Sequence, residues 1–353
     1  MMIFTTLFDS FYIDKGLAMY RSLERVTDDF KLYIYAFDDK AYEVLSGLNL
    51  EHAVILKKED LEEAYPILLK LKEERSKAEY CWTCTPISIE YVLEHYNEDN
   101  CTYIDSDLYF FKDPKVLYDE IKEAGANIVI TPHRFLSNLK DRRLCNRSGK
   151  YCVEFNYFDR SDNAREALIW WKERCFEWCY HIYEPERMGD QKYLEKFHAM
   201  FKGVHELQHL GGGVAPWNLG QYELLESTDF VGLVDSVDMT DSIDSSSEPF
   251  PRLIERSSGE NFDIIFYHFQ NLRYLSDSKV NISSGTYSKK LKDAIYLPYL
   301  REVEAIRKEL AQYGISFSVK KVYSSNKLIG FLQGTLLRFK IKSLSDVVDL
   351  KNI

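Results

Sequence analysis

Two periodicities alternate along the first 160 residues, and the alternation predicts a layered α/β fold. Short apolar runs at 3–7, 53–56, 101–104, 127–131 and 153–158, and an alternating, aromatic-rich run at 31–37, read as strands. Between them, apolar positions recur at helical spacing over 13–23 and 42–48, and again behind Thr85 and Pro86 as far as about residue 96. Strands joined by helical crossovers imply a parallel sheet, whose ligands gather at the carboxyl ends of the strands. Further on, 163–183 and 298–313 read as helices. Residues 133–150 are polar and basic without a period and read as a mobile loop, and the serine-rich stretch 242–259 reads as a flexible excursion. No internal repeat is present.

Composition narrows the class. The chain has 353 residues, 45% hydrophobic and 29% charged, enough for a full core in a soluble globular protein. A net charge of −11 argues against a nucleic-acid binder. The seven cysteines include Cys81 and Cys84 at zinc-finger spacing, but no second Cys/His pair follows, and Cys175 and Cys179 read as small apolar residues of a helix. A reducing cytoplasm is expected, since the opening residues lack the charged region of a signal peptide and no eighteen apolar residues run together. The stretch 315–353 departs from this balance. It holds seven Lys/Arg and two Asp, a net +5, and suits either packing on the main domain or contact with the inner face of an anionic membrane.

Candidate chemistry begins where the apolar run 101–104 ends in Asp105 and Asp107. Carboxylates at i and i+2 at a strand end can turn toward one point, and such oxygen ligands suit a hard divalent cation able to bridge a diphosphate. His268 stands at the end of the apolar run 264–267 and can complete an O,O,N set compatible with manganese or magnesium. Arg273, five residues on, can meet a phosphate. Asp190 and Gln191 follow Gly189 at the expected start of a helix, where polar side chains can orient hydroxyls or cap the helix. Gly211, Gly212 and Gly213 permit a ligand to approach the backbone closely, or a tight bend. They are not a nucleotide P-loop, because Lys-Ser/Thr is absent.

The ordered set of Asp-x-Asp, Asp-Gln and His resembles GT-A-type glycosyltransferases, in particular the bacterial nucleotide-diphospho-sugar transferases related to the glycogenin and lipopolysaccharide-galactosyltransferase group. The resemblance covers roughly residues 1–275. It implies a Rossmann-like mixed sheet flanked by helices, with a nucleotide half (1–130), a sugar and acceptor half (131–275) and a C-terminal helical extension with a basic tail (276–353). It implies a metal on Asp105, Asp107 and His268, and a donor bound by Thr5, Phe8, Asp9, Tyr12, Arg75, Lys77, Asp105 and Ser106. Phe155 and Asn156 would sit in the strand that meets the donor sugar, with Asn156 among the donor-binding residues, Gly212 and Gly213 would lie against the donor, and Asp190 and Gln191 would act at the sugar. The implied activity is metal-dependent transfer of a sugar from a nucleotide diphosphate, most simply UDP, to a glycan, lipid-linked or protein hydroxyl. Two features depart from the family pattern: His268-Phe-Gln-Asn-Leu-Arg273 lacks its glycine and lysine, and Tyr157 replaces a glycine. Two competing readings are a sugar-nucleotide nucleotidyltransferase, which would need a glycine-rich basic loop after the first strand, and a glycan- or partner-binding protein of the same fold without turnover.

Overall fold

The computed structural model describes residues 1–136, 138–225, 251–282, 288–317 and 347–353. Its centre is a sheet containing β1 (Met2–Phe8), β2 (Phe30–Ala36), β3 (Ala53–Lys57) and β4 (Asn100–Ile104). A short strand, β5 (Leu108–Phe110), lies outside it, and β6 (Ile128–Pro132), β7 (Tyr151–Asp159) and β8 (Val204–Glu206) complete it. The order is β3-β2-β1-β4-β7-β6-β8. β1 to β4 run parallel, as the crossover pattern predicts, and β6 and β8 are parallel to each other. β7 is antiparallel to both β4 and β6, so the sheet is mixed.

Burial on both faces explains why β1 reads as an apolar run, and β2, expected to alternate, is buried on both faces as well. Met2, Phe4 and Phe8 of β1 join Leu32, Ile34 and Ala36 of β2 in one core layer, and Ile3, Leu7, Tyr33 and Tyr35 join the opposite layer. The helices Ile13–Val26 and Lys289–Leu310 supply the first layer, while Lys77–His95 and Asp162–Glu177 supply the second. The C-terminal helix therefore shares the core of the sheet. It is tied there by Arg307 to buried Asp14 at 2.6 Å and by Arg21 to Glu309 at 2.7 Å.

Several boundaries differ from expectation for local reasons. The helix expected from Thr85 begins at Lys77, because Ser76 and Glu79 form a capping box and Pro86 is accommodated inside the helix. The expected helix 163–183 stops at Glu177. The expected loop 133–150 contains a helix, Leu139–Ser148, capped by Asn138, whose side chain accepts the Asp141 amide. Of the serine-rich stretch, residues up to 250 lie outside the described residues, and Arg252–Glu255 is a strand between two antiparallel neighbours. Most of the basic tail also lies outside the described residues. At its end, Val347–Asp349 pairs with Lys279–Asn281, and Val348 and Leu350 pack on the core.

Candidate functional site

The site forms at the carboxyl ends of β1 and β4. Beyond Ile104 the backbone is held on both sides: the Asp105 amide donates to the Glu154 carbonyl at 3.2 Å, and the Leu108 amide turns back to the Asp105 carbonyl at 3.2 Å. β5 then pairs antiparallel with Phe266–His268, placing His268 opposite Leu108. The Phe269 amide donates to the Asp107 carbonyl at 2.9 Å, and the His268 amide to the Val214 carbonyl at 2.9 Å. This ribbon brings residues 160 positions apart to one point. His268 Nε2 lies 3.0 Å from Asp107 Oδ1 and 3.6 Å from Asp105 Oδ2.

On its other nitrogen, His268 Nδ1 meets Glu154 Oε2 at 2.6 Å, and Glu154 is fully buried in β7. Among the described residues, two ligand-type groups share this imidazole: Asp105, Asp107 and His268 facing the cleft, and Cys152, Glu154 and His268 in the interior. The first group fits a divalent cation. Two carboxylates and a ring nitrogen converge, all their ligand atoms lie within 4.8 Å of one another, and a carboxylate behind the histidine fixes its ring.

The electrostatics agree with a cation site. Desolvation pushes Asp105 up to about 8, opposed by His268 and reinforced by Asp107, Asp190 and Glu154. Desolvation also works against Asp107, but the His268 charge and hydrogen bond, with Lys15 beyond, hold it below the usual carboxylate range. For His268, burial favours the neutral ring, yet Asp107, Cys152 and Glu154 together raise it well above an ordinary histidine. A divalent ion would take the place of the protons these groups share.

Other expected residues stand around the same point, some exposed and some buried in the sheet. Asp9 accepts the amides of Phe11 and Tyr12 at 3.0 and 3.3 Å, and exposed Lys77 approaches it at 3.5 Å. Tyr12 is close enough to Asp107 to feel its charge. Burial, Asp107 and Asp9 push its hydroxyl up to about 12, so at neutral pH it is a hydrogen-bond donor. Ser106 sits in the turn between the two aspartates, partly exposed. Thr5 and Asn156 both pair in register with Tyr103 of β4, and among the described residues the Thr5 hydroxyl and Asn156 amide oxygen are buried without partners. Arg273 is exposed near Tyr12.

Asp190 is 5% exposed and faces the Thr85 hydroxyl, and desolvation pushes its carboxyl up to about 7. It precedes a 3-10 turn, Gln191–Lys196, and its side chain makes no capping bond there. The Gln191 amide nitrogen is bonded to the Ser148 carbonyl, which fastens the helix Leu139–Ser148 over this end of the cleft.

Two expectations are corrected by packing. Phe8 is 2% exposed with its ring against Gly16, where a Cβ would come within 2.4 Å, so it is a core residue and cannot meet a base. Phe155 is likewise in the core, stacked on Phe266 at 5.6 Å. Arg75 is turned inward: its guanidinium bonds to the Thr83 hydroxyl and to the Phe176 carbonyl at 2.8 Å, and lies 5.3 Å from the Tyr180 ring. Held in this way by its two terminal nitrogens, the buried guanidinium braces two helices and is turned away from the aspartate pair, its Nε having no partner among the described residues. The glycine run has a packing origin as well. A Cβ on Gly212 would meet Leu207 at 2.7 Å, and one on Gly213, at φ +94°, would meet Thr131 at 2.9 Å and Glu154 Oε1 at 3.1 Å. These glycines let the backbone press against the wall that carries Glu154.

Glu154 is the residue the sequence reading passed over. A lone glutamate inside an apolar strand was its signal, because a buried acid needs a partner. Lys15 was also missed. It lies over the Tyr12 ring at 4.1 Å and is close enough to Asp107 to favour its charged form.

No family model matches the chain. Two uncharacterized proteins of Bacillus subtilis (strain 168) are similar in sequence. YfnD is 29% identical over 84% of this chain and 87% of its own length, and YfnF is 32% identical over 59% of this chain and 69% of its own. Solved structures with a related arrangement include galactosyltransferase LgtC in complex with donor and acceptor sugar analogs. It has a TM-score of 0.49 and 12% identity over 88% of this chain and all (100%) of that one. Mouse xyloside xylosyltransferase 1 has a TM-score of 0.44 and 11% identity over 76% of this chain and 98% of that one. On the YfnF similarity, the chain belongs to the same protein family as that Bacillus subtilis protein.

Proposed function

We propose that the chain is a metal-dependent glycosyltransferase, moving a hexose or related sugar from a nucleoside diphosphate, most simply UDP, to a hydroxyl of a glycan, lipid-linked or protein acceptor. The observation that carries this reading is the convergence of Asp105, Asp107 and His268 at the carboxyl end of β4, with Glu154 behind the histidine. Asp105, Asp107 and His268 would hold manganese or magnesium, which would supply Lewis-acid stabilisation of the departing diphosphate. Tyr12 would donate its phenolic proton to a phosphate or ribose oxygen, and Lys15 and Arg273 would add positive charge on the same side. Gln191 has its amide nitrogen engaged by Ser148, so its carbonyl oxygen is the end that would accept from a sugar hydroxyl. Asp190, with its carboxyl at about 7, would exist in both protonation states near neutrality and would orient the donor sugar. The segment after β1, Asp9-Ser10-Phe11-Tyr12, leads straight into a helix without a glycine-rich loop, which counts against the nucleotidyltransferase alternative.

The test is thermal stability against UDP, GDP, CDP and dTDP, each with manganese or chelator, in the native chain and in Asp107→Asn. A ligand that binds only the folded state raises the melting temperature with its concentration. The expected result is a shift with one nucleotide that disappears with chelator and in the variant. An equal shift in Asp107→Asn with manganese present would overturn the metal assignment.

A further inference from the structure

The helix Leu139–Ser148 has a face that nothing in the fold explains. Positions 139, 142, 143, 146 and 147 follow helical spacing and are all exposed, whereas Asp141 on the other side is buried and accepts the Leu136 amide at 3.0 Å. The exposed face carries Arg142, Arg143 and Arg147, and among the described residues no carboxylate pairs with Arg142 or Arg143. Beside them stand apolar side chains without cover: Leu139 is 74% exposed, Leu136 41%, Ile182 53% and Tyr183 44%. Arg147 lies 4.1 Å over the Tyr183 ring, which joins the helix and residues 182–183 into one patch. The neighbouring acids are already matched to other cations, Glu184 to Arg187 at 2.6 Å and Glu186 to Lys196.

We propose that this patch docks the protein on an anionic phospholipid surface. Charge complementarity selects the occupant: the chain as a whole carries −11, so a negative bilayer repels most of it and attracts this basic face. The apolar members favour a bilayer over a soluble polyanion, because a polyanion offers nothing to an exposed leucine, while the headgroup boundary takes up leucine and tyrosine beside arginine. The tail 315–353, with its net +5, adds to the same attraction by composition alone. Position gives the docking its consequence. The Ser148 carbonyl holds Gln191, and the Asn146 carbonyl takes the Lys192 ammonium at 2.6 Å, so the patch is the outer surface of the wall that closes the Asp190 end of the cleft. Docking there brings the Asp190 end of the site close to the bilayer. That the acceptor is then lipid-linked rests on the glycosyltransferase reading; the docking itself does not.

The experiment is sedimentation of the full chain with phosphatidylglycerol–phosphatidylcholine vesicles and with pure phosphatidylcholine vesicles, beside a soluble polyphosphate arm. Binding is expected with the anionic vesicles only, weakening as salt rises. Arg142→Gln/Arg143→Gln should lower the partition coefficient on the order of 30-fold, and Leu139→Ser on the order of tenfold. Both variants should keep the native melting temperature and any manganese-dependent nucleotide shift, which separates failure of the docking from failure of the catalytic reading. The proposal is overturned by equal binding to neutral vesicles, by unchanged vesicle binding in both variants, or by binding to polyphosphate without binding to vesicles.

Discussion

Binding of manganese to this site should expel two protons near neutral pH, and the number follows from the geometry. Asp105 is pushed up to about 8 by desolvation and by its acidic neighbours. At pH 7 it is therefore mainly protonated in the metal-free protein. His268, between Asp107 at 3.0 Å and Glu154 at 2.6 Å, is raised well above an ordinary histidine and is charged at the same pH. Asp107 is already ionised, because His268 holds it low. A cation ligated by all three side chains needs Asp105 ionised and His268 neutral at Nε2, so both protons must leave. Below pH 8 the logarithm of the binding constant should rise by about two for each pH unit, making affinity at pH 6 about 100-fold weaker than at pH 7, or roughly 2.7 kcal/mol. Titration calorimetry in buffers of different ionisation enthalpy counts the released protons directly. Asp105→Asn removes one of them, so that variant should bind more weakly with a slope near one. A slope near zero in the native protein, or an unchanged slope in Asp105→Asn, would refute the reasoning.

Other substitutions test the surroundings. Glu154→Gln keeps the shape of the buried side chain but weakens its hold on His268 Nδ1, so manganese affinity should fall on the order of 10–100-fold without loss of fold. Direct titration of that variant checks this, and an unchanged affinity would remove Glu154 from the site. Asp190→Asn should stabilise the apo protein at pH 8. The carboxyl is raised from 3.8 to about 7, so its contribution to folding is lost as pH climbs from the lower value through the higher, with an upper bound of roughly 4 kcal/mol. Melting curves at pH 4 and pH 8 should show the gain only at pH 8. Arg75→Ala should lower stability by about 1–3 kcal/mol through lost buried hydrogen bonds while leaving nucleotide affinity intact, and a large loss of affinity in a stable variant would return Arg75 to the donor site.

Much of the scaffold was legible in the chain, and the reason is local. β1 is buried on both faces, so it appears as an apolar run whatever its neighbours. Asp105 and Asp107 announced themselves because two acids directly behind a buried strand are chemically unusual. The misjudged residues were those whose environment is built by distant segments. Phe8 is apolar and ends the strand, as a base-stacking residue could, but Gly16 makes room for its ring and takes it into the core. Arg75 sits beside an exposed lysine in sequence, yet the Phe176 carbonyl, a hundred residues on, draws it inward. Residues 133–150 have loop-like polarity, and the Asn138 cap still starts a helix there.

From the sequence alone come the α/β class, the parallel order of the first strands, the acid pair and a histidine of suitable chemistry, because periodicity and residue type act over a few neighbours. The tertiary structure decided that β7 enters antiparallel, that β5 pairs with Phe266–His268, and that Glu154 stands behind the imidazole. These depend on contacts between segments 50 to 160 residues apart, where a side chain's role is set by which strand lies beside it rather than by what precedes it in the chain.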